Sequence, residues 1–270
     1  MNKNVVFTLW VEGPLDFFSK LCIKSWCRLG YEVHLYKYAD FEADADELPY
    51  IDVFDAKDII KKPNLTSYQE IADYFRFYKL LKQGGTWLDS DMILLKRLPT
   101  EDIIISSEHC KLLGSFSPKG RDFTPNIGVL RLTRSHPVVI KTLVAINRMI
   151  KKGYTTNTNN NSLMKKFQKV VLSEYRFLVS PPDWFCPISW AYVNELYTEE
   201  DLWERTDSGS SPHLKFGINQ RQIKPILNAS YGIHLWRNLY LTKGLKDKEI
   251  EGSTFTKIID FINKAGDIEF

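Results

Sequence analysis

The sequence predicts an α/β fold, in which parallel strands form a layer and helices pack over it. In the first half of the chain, short apolar runs alternate with helix-like segments, and the links between them are short. Parallel strands need a crossover connection, commonly a helix, so this order favours a helix-covered sheet. The expected strands are residues 5–11, 31–38 and 51–54, and the expected helices are residues 14–29 and 67–83.

Start and stop signals support both helices. Gly30 follows the first helix at the position where glycine commonly ends helices. Ser67 and Glu70 form a capping box at the start of the second helix, since their side chains can satisfy exposed backbone amides there. The pair Gly84-Gly85 then ends this helix.

The second half of the chain is less regular. It contains no internal repeat and no linker long enough to separate domains. A polar, turn-rich composition predicts loops at residues 154–162 and 199–211. Hydrophobic periodicity predicts strands at residues 103–107, 112–116, 128–132 and 229–235, and helices at residues 137–151 and 254–264.

Composition and charge argue against several classes of protein. The net charge of +3 is small and the basic residues are scattered, which does not indicate nucleic-acid binding. No apolar run approaches the roughly 20 residues of a membrane span, so only peripheral membrane contact stays open. The N-terminal residues lead into a strand without a signal-peptide pattern, and we expect a cytoplasmic protein. The four cysteines lack zinc-ligand spacing and are expected to be buried thiols: Cys22, Cys27, Cys110 and Cys186.

Two aspartates one residue apart, Asp89 and Asp91, lie within an apolar run after the glycine pair. We expect Trp87, Leu88 and residues 92–94 to form a buried strand. Carboxylates are rarely buried without a partner, and a divalent cation with oxygen ligands would be a suitable one. The alternative is an acidic pair that caps nearby backbone amides at a strand end.

The preceding helix strengthens the metal-site hypothesis. Asp73 and Arg76 are three residues apart and share one face of a helix that is apolar nearly all round. They form either a local ion pair or a ligand site in which the arginine donates and the aspartate accepts. Asp44 and Asp46 repeat the Asp-x-Asp pattern in a polar loop, where a solvated turn is expected.

The helix and the acidic run together match a known pattern. Residues 72–81, followed by residues 84–92, resemble the sugar-binding region of glycosyltransferases that carry the DXD motif. Similar enzymes include α-1,4-galactosyl- and N-acetylglucosaminyltransferases, a group of mannosyltransferases and, more distantly, the large clostridial glucosylating toxins. The resemblance continues in family order at residues 10–15, 25–33, 126–129, 136–137 and 231–236.

The resemblance implies a GT-A fold in a single domain over residues 1–270. A Rossmann-like nucleotide-binding half (about residues 1–100) and an acceptor half (about residues 101–250) would share one central mixed sheet, with a C-terminal helix in residues 251–270. It implies a nucleotide diphosphate sugar as donor, with a UDP-sugar expected, and a glycan or glycolipid acceptor. Similar enzymes transfer a hexose with retention of anomeric configuration. Without a membrane anchor, a bacterial or viral enzyme that builds a glycan is expected.

The resemblance also implies a metal site. Asp91 would coordinate Mn²⁺ or Mg²⁺ directly, and Asp89 would contact the ribose or sugar and reach the metal. His234 would supply a further ligand from a C-terminal strand, and an imidazole favours Mn²⁺ over Mg²⁺. His109 and His136 are expected to be structural.

The remaining implied roles concern the donor. Asp73 and Arg76 would hold the donor sugar, and together with Asp89 and Asp91 they are the catalytic candidates. Trp236 would pack beside the nucleotide. The base and ribose would be bordered by Leu9 and Trp10.

Acceptor contacts are less determined. Asn126 matches a family asparagine near the acceptor and fits a β-turn equally well. Asp183 and Trp184 are candidates for lining the acceptor site, and residues 154–163 lack the Gly-Pro that relatives often show. Two alternative functions stay open. One is a non-catalytic carbohydrate-binding protein of the same fold. The other is a haloacid-dehalogenase-like phosphatase, whose Gly-Asp motif would have to be Gly266-Asp267.

Overall fold

The computed structural model describes most of the chain: residues 2–11, 13–38, 48, 51–65, 67–109, 123–152, 162–188, 190, 193–198, 230–245 and 251–264. The described strands are β1 (Val5–Trp10), β2 (Glu32–Lys37), β3 (Ile51–Asp55), β4 (Gly85–Leu88), β5 (Met92–Leu94), β6 (Ile104–His109), β7 (Phe123–Leu132) and β8 (Gly232–His234). The described helices are α1 (Phe17–Arg28), α2 (Tyr68–Gln83), α3 (Pro137–Lys151), α4 (Leu163–Val170), α5 (Val193–Thr198), α6 (Arg237–Thr242) and α7 (Thr254–Lys264).

A six-stranded mixed sheet organises these elements in the order β3-β2-β1-β4-β7-β6. Strands β3, β2, β1 and β4 run parallel, whereas β7 runs antiparallel to both β4 and β6. The predicted α/β class with one central mixed sheet is therefore confirmed. The strands β5 and β8 form a separate two-stranded antiparallel sheet.

The apolar run around the two aspartates does not form one strand, and this part of the prediction was wrong. β4 ends at Leu88 and β5 begins at Met92, in a different sheet. The reason is the pairing: β4 continues the main sheet between β1 and β7, whereas β5 pairs with β8. Asp89 and Asp91 lie in the turn between the two sheets, at the carboxyl end of β4.

Other boundaries agree with the sequence or differ by a few residues. Helices α3 and α7 have the expected bounds, and Gly30 follows α1 with φ of +74°. The first helix begins at Phe17 instead of residue 14, because the Asp16 side chain accepts a hydrogen bond from the Ser19 amide and caps it. β8 is shorter than the predicted strand, and β7 begins earlier, at Phe123.

Several predicted features lie outside the described residues. They are the strand at residues 112–116, the loops at residues 154–161 and 199–211, the acidic pair Asp44 and Asp46, the thiol Cys110, and Gly266-Asp267. The three described cysteines are buried, as predicted: Cys22, Cys27 and Cys186.

Buried side chains form two hydrophobic clusters. One contains α1, α7 and the small sheet, and the other contains α2, α3 and α4. Trp26 of α1 is fully buried in the first cluster, and its Nε1 donates to the Met92 carbonyl at 2.7 Å. This bond ties the small sheet to α1. Of the helices within the described ranges, none is long and apolar enough to cross a membrane.

Candidate active site

A cavity of about 500 Å³ opens at the carboxyl ends of β1 and β4. In open α/β sheets this edge is where ligands bind. All eight residues expected from the sequence to hold the metal or the donor line this one cavity: Leu9, Trp10, Asp73, Arg76, Asp89, Asp91, His234 and Trp236.

Asp89 is held by the main sheet and by α2. Its backbone amide donates to the Gly128 carbonyl at 2.8 Å. Its Oδ1 accepts from Arg76 Nη2 at 2.6 Å and from Trp87 Nε1 at 2.7 Å. Arg76 also donates to the Ile127 carbonyl at 2.5 Å and lies over the Trp87 ring, 4.4 Å from its centroid. These contacts orient the carboxylate.

Arg76 pairs with two carboxylates and not with Asp73 alone. Its Nη2 lies 3.2 Å from Asp73 Oδ1 as well as 2.6 Å from Asp89 Oδ1. Burial raises the pKa of Asp73 to about 7; Arg76 opposes this shift, and Asp89 and Glu70 add to it. Burial also raises the pKa of Asp89, against the charge of Arg76.

Asp91 has a different environment. Its Oδ1 lies 3.0 Å from His234 Nε2, and its Oδ2 accepts from the Arg237 amide at 3.1 Å. Burial disfavours the carboxylate, but the charge of His234 and hydrogen bonds from His234 and from backbone amides outweigh it, so the pKa of Asp91 is lowered. Burial in turn disfavours the imidazolium. Asp91, assisted by Cys186, outweighs this effect and raises the pKa of His234 well above its ordinary value.

The pairing of β5 with β8 brings His234 to Asp91 across 143 residues of sequence. Met92 is the register partner of His234, and the Leu235 amide donates to the Asp91 carbonyl at 2.9 Å. Gly232 permits this approach, because a Cβ there would lie 2.5 Å from the Ile93 carbonyl oxygen. The small sheet therefore positions Asp91 and His234 relative to each other.

Aromatic side chains form the rim of the cavity. The Trp236 ring lies over His234, with ring centroids 4.0 Å apart. Trp236 has φ of +54°, a left-handed conformation uncommon for a bulky residue, at the start of α6. Trp10, at the end of β1, lies 5.5 Å beneath the Arg237 guanidinium, which is paired with Asp16. The described residues thus bring aromatic faces from both ends of the sequence to one opening.

Asp89, Asp91 and His234 could hold a metal ion together. One ligand atom from each lies within 4.8 Å of the others. Two carboxylate oxygens and an imidazole nitrogen suit Mn²⁺ and leave coordination positions open for other oxygens. The hydrogen bond between His234 and Asp91 occupies the positions of two ligand atoms, so binding an ion requires His234 to lose its proton. The residues present fit the metal that the resemblance implies.

Some cavity residues were not predicted. Arg237 contributes only its backbone amide to Asp91, and any residue type could do so, which leaves no sequence signal. Thr8 lines the cavity, and its hydroxyl is buried without a hydrogen-bond partner among the described residues. Arg76 Nε is likewise buried without a hydrogen-bond partner among the described residues. Buried unpaired polar atoms are uncommon, and both of these belong to residues that line the cavity.

The other sequence candidates lie elsewhere. Asn126 lies within β7 and not in a β-turn, and it donates to Glu108 at 3.2 Å. Trp184 packs against Tyr231 with ring centroids 5.1 Å apart, and neither it nor Asp183 lines the cavity. His136 caps α3, as expected of a structural histidine.

Comparison with known proteins supports the predicted resemblance of this chain to a sugar-binding region. Residues 19–110 match the family model of the glycosyltransferase sugar-binding region containing the DXD motif. This segment includes Asp73, Arg76, Asp89 and Asp91, whereas His234 lies beyond it. The predicted resemblance to DXD glycosyltransferases is confirmed. No curated protein matches the chain.

Several solved structures are similar to this chain. The PaToxG glycosyltransferase is 14% identical over 85% of this chain and 88% of that chain, with a TM-score of 0.48. The apo-form glycosyltransferase GlyE of Streptococcus pneumoniae TIGR4 is 14% identical over 89% and 63%, with a TM-score of 0.40. The UDP-bound glycosyltransferase domain of the YGT toxin is 9% identical over 92% and 78%, with a TM-score of 0.35. At these TM-scores, the likenesses assign no role to any residue.

Proposed function

We propose that residues 1–270 form one GT-A domain that transfers a hexose from a UDP-sugar to a glycan or glycolipid acceptor, with a divalent metal ion and retention of anomeric configuration. The observation that carries this proposal is the convergence of Asp89, Asp91 and His234 beside a cavity at the carboxyl edge of the sheet. Because Asp89 and Asp91 lie in the matched sugar-binding region, glycosyl transfer is the best-supported chemistry.

Asp91 and His234 would hold the metal ion, and Asp89 would contact it through its Oδ2, because Oδ1 is engaged by Arg76 and Trp87. The lowered pKa of Asp91 keeps this carboxylate ionised at neutral pH. A bound Mn²⁺ would neutralise the charge that develops on the diphosphate as the glycosidic bond breaks.

The donor would lie across the cavity. Arg76 and Asp73 would orient the sugar. Leu9, Trp10 and Trp236 would enclose the base and ribose with apolar and aromatic surface. An aromatic-lined pocket with a few placed polar groups is the usual form of a nucleotide site.

Retention is proposed because the DXD glycosyltransferases that the chain resembles transfer with retention. Front-side displacement is proposed as its route because the cavity offers no spare nucleophile among the described residues. Its three carboxylates are Asp73, Asp89 and Asp91, and each is already engaged by Arg76 or His234. The acceptor hydroxyl would attack the anomeric carbon on the face from which the diphosphate leaves. The bond from that carbon to the diphosphate breaks, and a leaving phosphate oxygen takes the hydroxyl proton.

The direct test is a panel of nucleotide sugars with and without Mn²⁺, with thermal shift and donor hydrolysis as readouts. We expect stabilisation by UDP that requires Mn²⁺, and slow hydrolysis of one UDP-sugar. Binding without hydrolysis or transfer would indicate the non-catalytic carbohydrate-binding alternative. Hydrolysis of simple phosphate esters would favour a phosphatase. For an identified acceptor, NMR of the product would test retention, and a β-linked product from an α-linked donor would overturn it.

A further inference from the structure

Positive charge is concentrated in one stretch of the chain. Residues 134–176 contain nine Lys or Arg residues and one acidic residue, Glu174. This stretch therefore has a formal charge of +8, against +3 for the whole chain, and the remaining residues are net acidic. Both α3 and α4 lie in this stretch, so much of the positive charge of the chain is carried by these two helices and the residues next to them.

The two helices bring part of this charge together. They pack against each other and leave a groove of about 400 Å³ between them. Four cations line this basic groove over an apolar floor that includes Met149 and Val170: Arg148, Lys152, Lys166 and Lys169.

No carboxylate neutralises this groove within the part of the chain that the structure describes. None of its lining residues is acidic, and its four cations have no ion-pair partner there. Glu174, the only acidic residue of the stretch, is paired with Lys141. The sequence that joins the helices, residues 153–161, contains no Asp or Glu.

Exposed apolar side chains accompany the charge. Ile140 and Val144 of α3 are each 43% exposed. Ile140, Val144 and Arg148 follow each other at intervals of four residues and so share one face of α3. Basic side chains beside exposed aliphatic ones are typical of surfaces that lie in the headgroup region of a bilayer.

We propose that the α3–α4 face binds the surface of an anionic phospholipid bilayer, with lipid phosphates in the basic groove and the exposed apolar side chains in contact with the headgroup region. A bilayer is favoured over a soluble polyanion because a polyanion would not need the apolar side chains. The face also adjoins the cavity, since Met164 of α4 lines it. The proposal does not depend on which reaction the cavity performs.

Vesicle sedimentation with the full chain tests this proposal. We expect binding to phosphatidylcholine vesicles that contain phosphatidylglycerol, little binding to pure phosphatidylcholine, and loss of binding at high salt. In Lys152→Glu/Lys166→Glu/Lys169→Glu, affinity for the anionic vesicles should fall by at least about a hundredfold, because each basic residue near such a surface contributes about fivefold.

The matched control is Lys57→Glu/Lys61→Glu/Lys62→Glu, which changes the net charge equally at exposed residues that follow the edge strand β3. It should keep vesicle affinity within a few-fold of wild type. Equal losses in the two variants would show that only net charge matters and would overturn the proposal. If the wild-type protein does not bind anionic vesicles, the proposal is also overturned, whether or not this protein binds heparin. Circular dichroism of both variants verifies folding, and Ile140→Ser/Val144→Ser provides a second variant that should weaken binding without changing charge.

Discussion

The two aspartates of the DXD segment are one residue apart in sequence, yet different parts of the molecule hold them. Asp89 is fixed by the main sheet and by α2, through Gly128, Trp87 and Arg76. Asp91 is fixed by His234, the last residue of the short strand β8, and by the Arg237 amide just after it. The site is therefore a junction between a large sheet and a small one.

The difference also concerns charge. The carboxylate of Asp89 faces a permanent cation, Arg76, and this cation is shared with Asp73. The carboxylate of Asp91 faces a titratable one, because His234 can lose its proton to make way for a metal ion. We call Asp73, Arg76 and Asp89 the Arg76 side of the site, and Asp91 and His234 the His234 side. The Arg76 side is thus suited to a fixed structural role, and the His234 side is suited to binding and releasing a cation.

The largest expected effect is at Asp91. Asp91→Asn keeps the size of the side chain but removes the ionised ligand oxygen, so Mn²⁺-dependent turnover should fall by at least about a thousandfold, which is about 4 kcal/mol of transition-state stabilisation. Circular dichroism should show a folded protein. Asp102→Asn, at a carboxylate whose side chain is 79% exposed, is the control and should behave as wild type. Wild-type activity in Asp91→Asn would exclude Asp91 as a metal ligand.

A change on the Arg76 side should affect stability more directly. Arg76→Met leaves the carboxylates of Asp73 and Asp89 buried without their shared cation, which should lower the free energy of unfolding by about 3–5 kcal/mol in urea titrations. Adding Asp73→Asn to this variant should recover part of the loss, because one uncompensated carboxylate is then removed. A loss below about 1 kcal/mol would mean that solvent screens the two carboxylates or that they take up protons once Arg76 is gone.

The sequence indicated the Arg76 side well, because the side-chain partners of Asp89, Arg76 and Trp87, are close to it in sequence. Asp73 and Arg76 share a helix face, Gly84-Gly85 ends that helix, and the strand that follows delivers Asp89 to the sheet edge. The proximity of Arg76 to Asp89 then follows from a short strand and a tight connection. The helix bounds of α3 and α7 were equally accessible from hydrophobic periodicity.

The His234 side could not be predicted from the local sequence pattern. The run from Trp87 to Leu94 is apolar on both sides of the aspartates, and nothing in its periodicity indicates that it divides between two sheets. That division depends on the pairing of β5 with β8, which only the folded chain supplies. His234 was selected through a family resemblance, and the Arg237 amide carries no side-chain signal at all.

A glycine substitution tests how far the His234 side depends on the small sheet. In Gly232→Ala, the new Cβ would lie 2.5 Å from the Ile93 carbonyl oxygen, so β5 and β8 must move apart. We expect a destabilisation of about 1–3 kcal/mol and weaker Mn²⁺-dependent binding of UDP, measured by urea unfolding and calorimetry. Gly252→Ala is the control for metal binding, because a Cβ at that glycine meets nothing within 4 Å and the variant loses stability only through the φ of +83° at this position. Unchanged metal affinity in Gly232→Ala would show that the small sheet does not position His234.

The smallest effect concerns pH and the Arg76 side alone. Burial raises the pKa of Asp73 from 3.8 to about 7, so the folded protein binds more protons there than the unfolded chain between these values. The contribution of Asp73 to stability therefore falls as pH rises through this window and is constant above it. In metal-free protein, Asp73→Asn should gain stability relative to wild type across the window, by on the order of 1–2 kcal/mol in urea titrations. A stability difference that does not change with pH would show that Arg76 keeps Asp73 ionised throughout, and the Arg76 side would then carry two full negative charges at neutral pH.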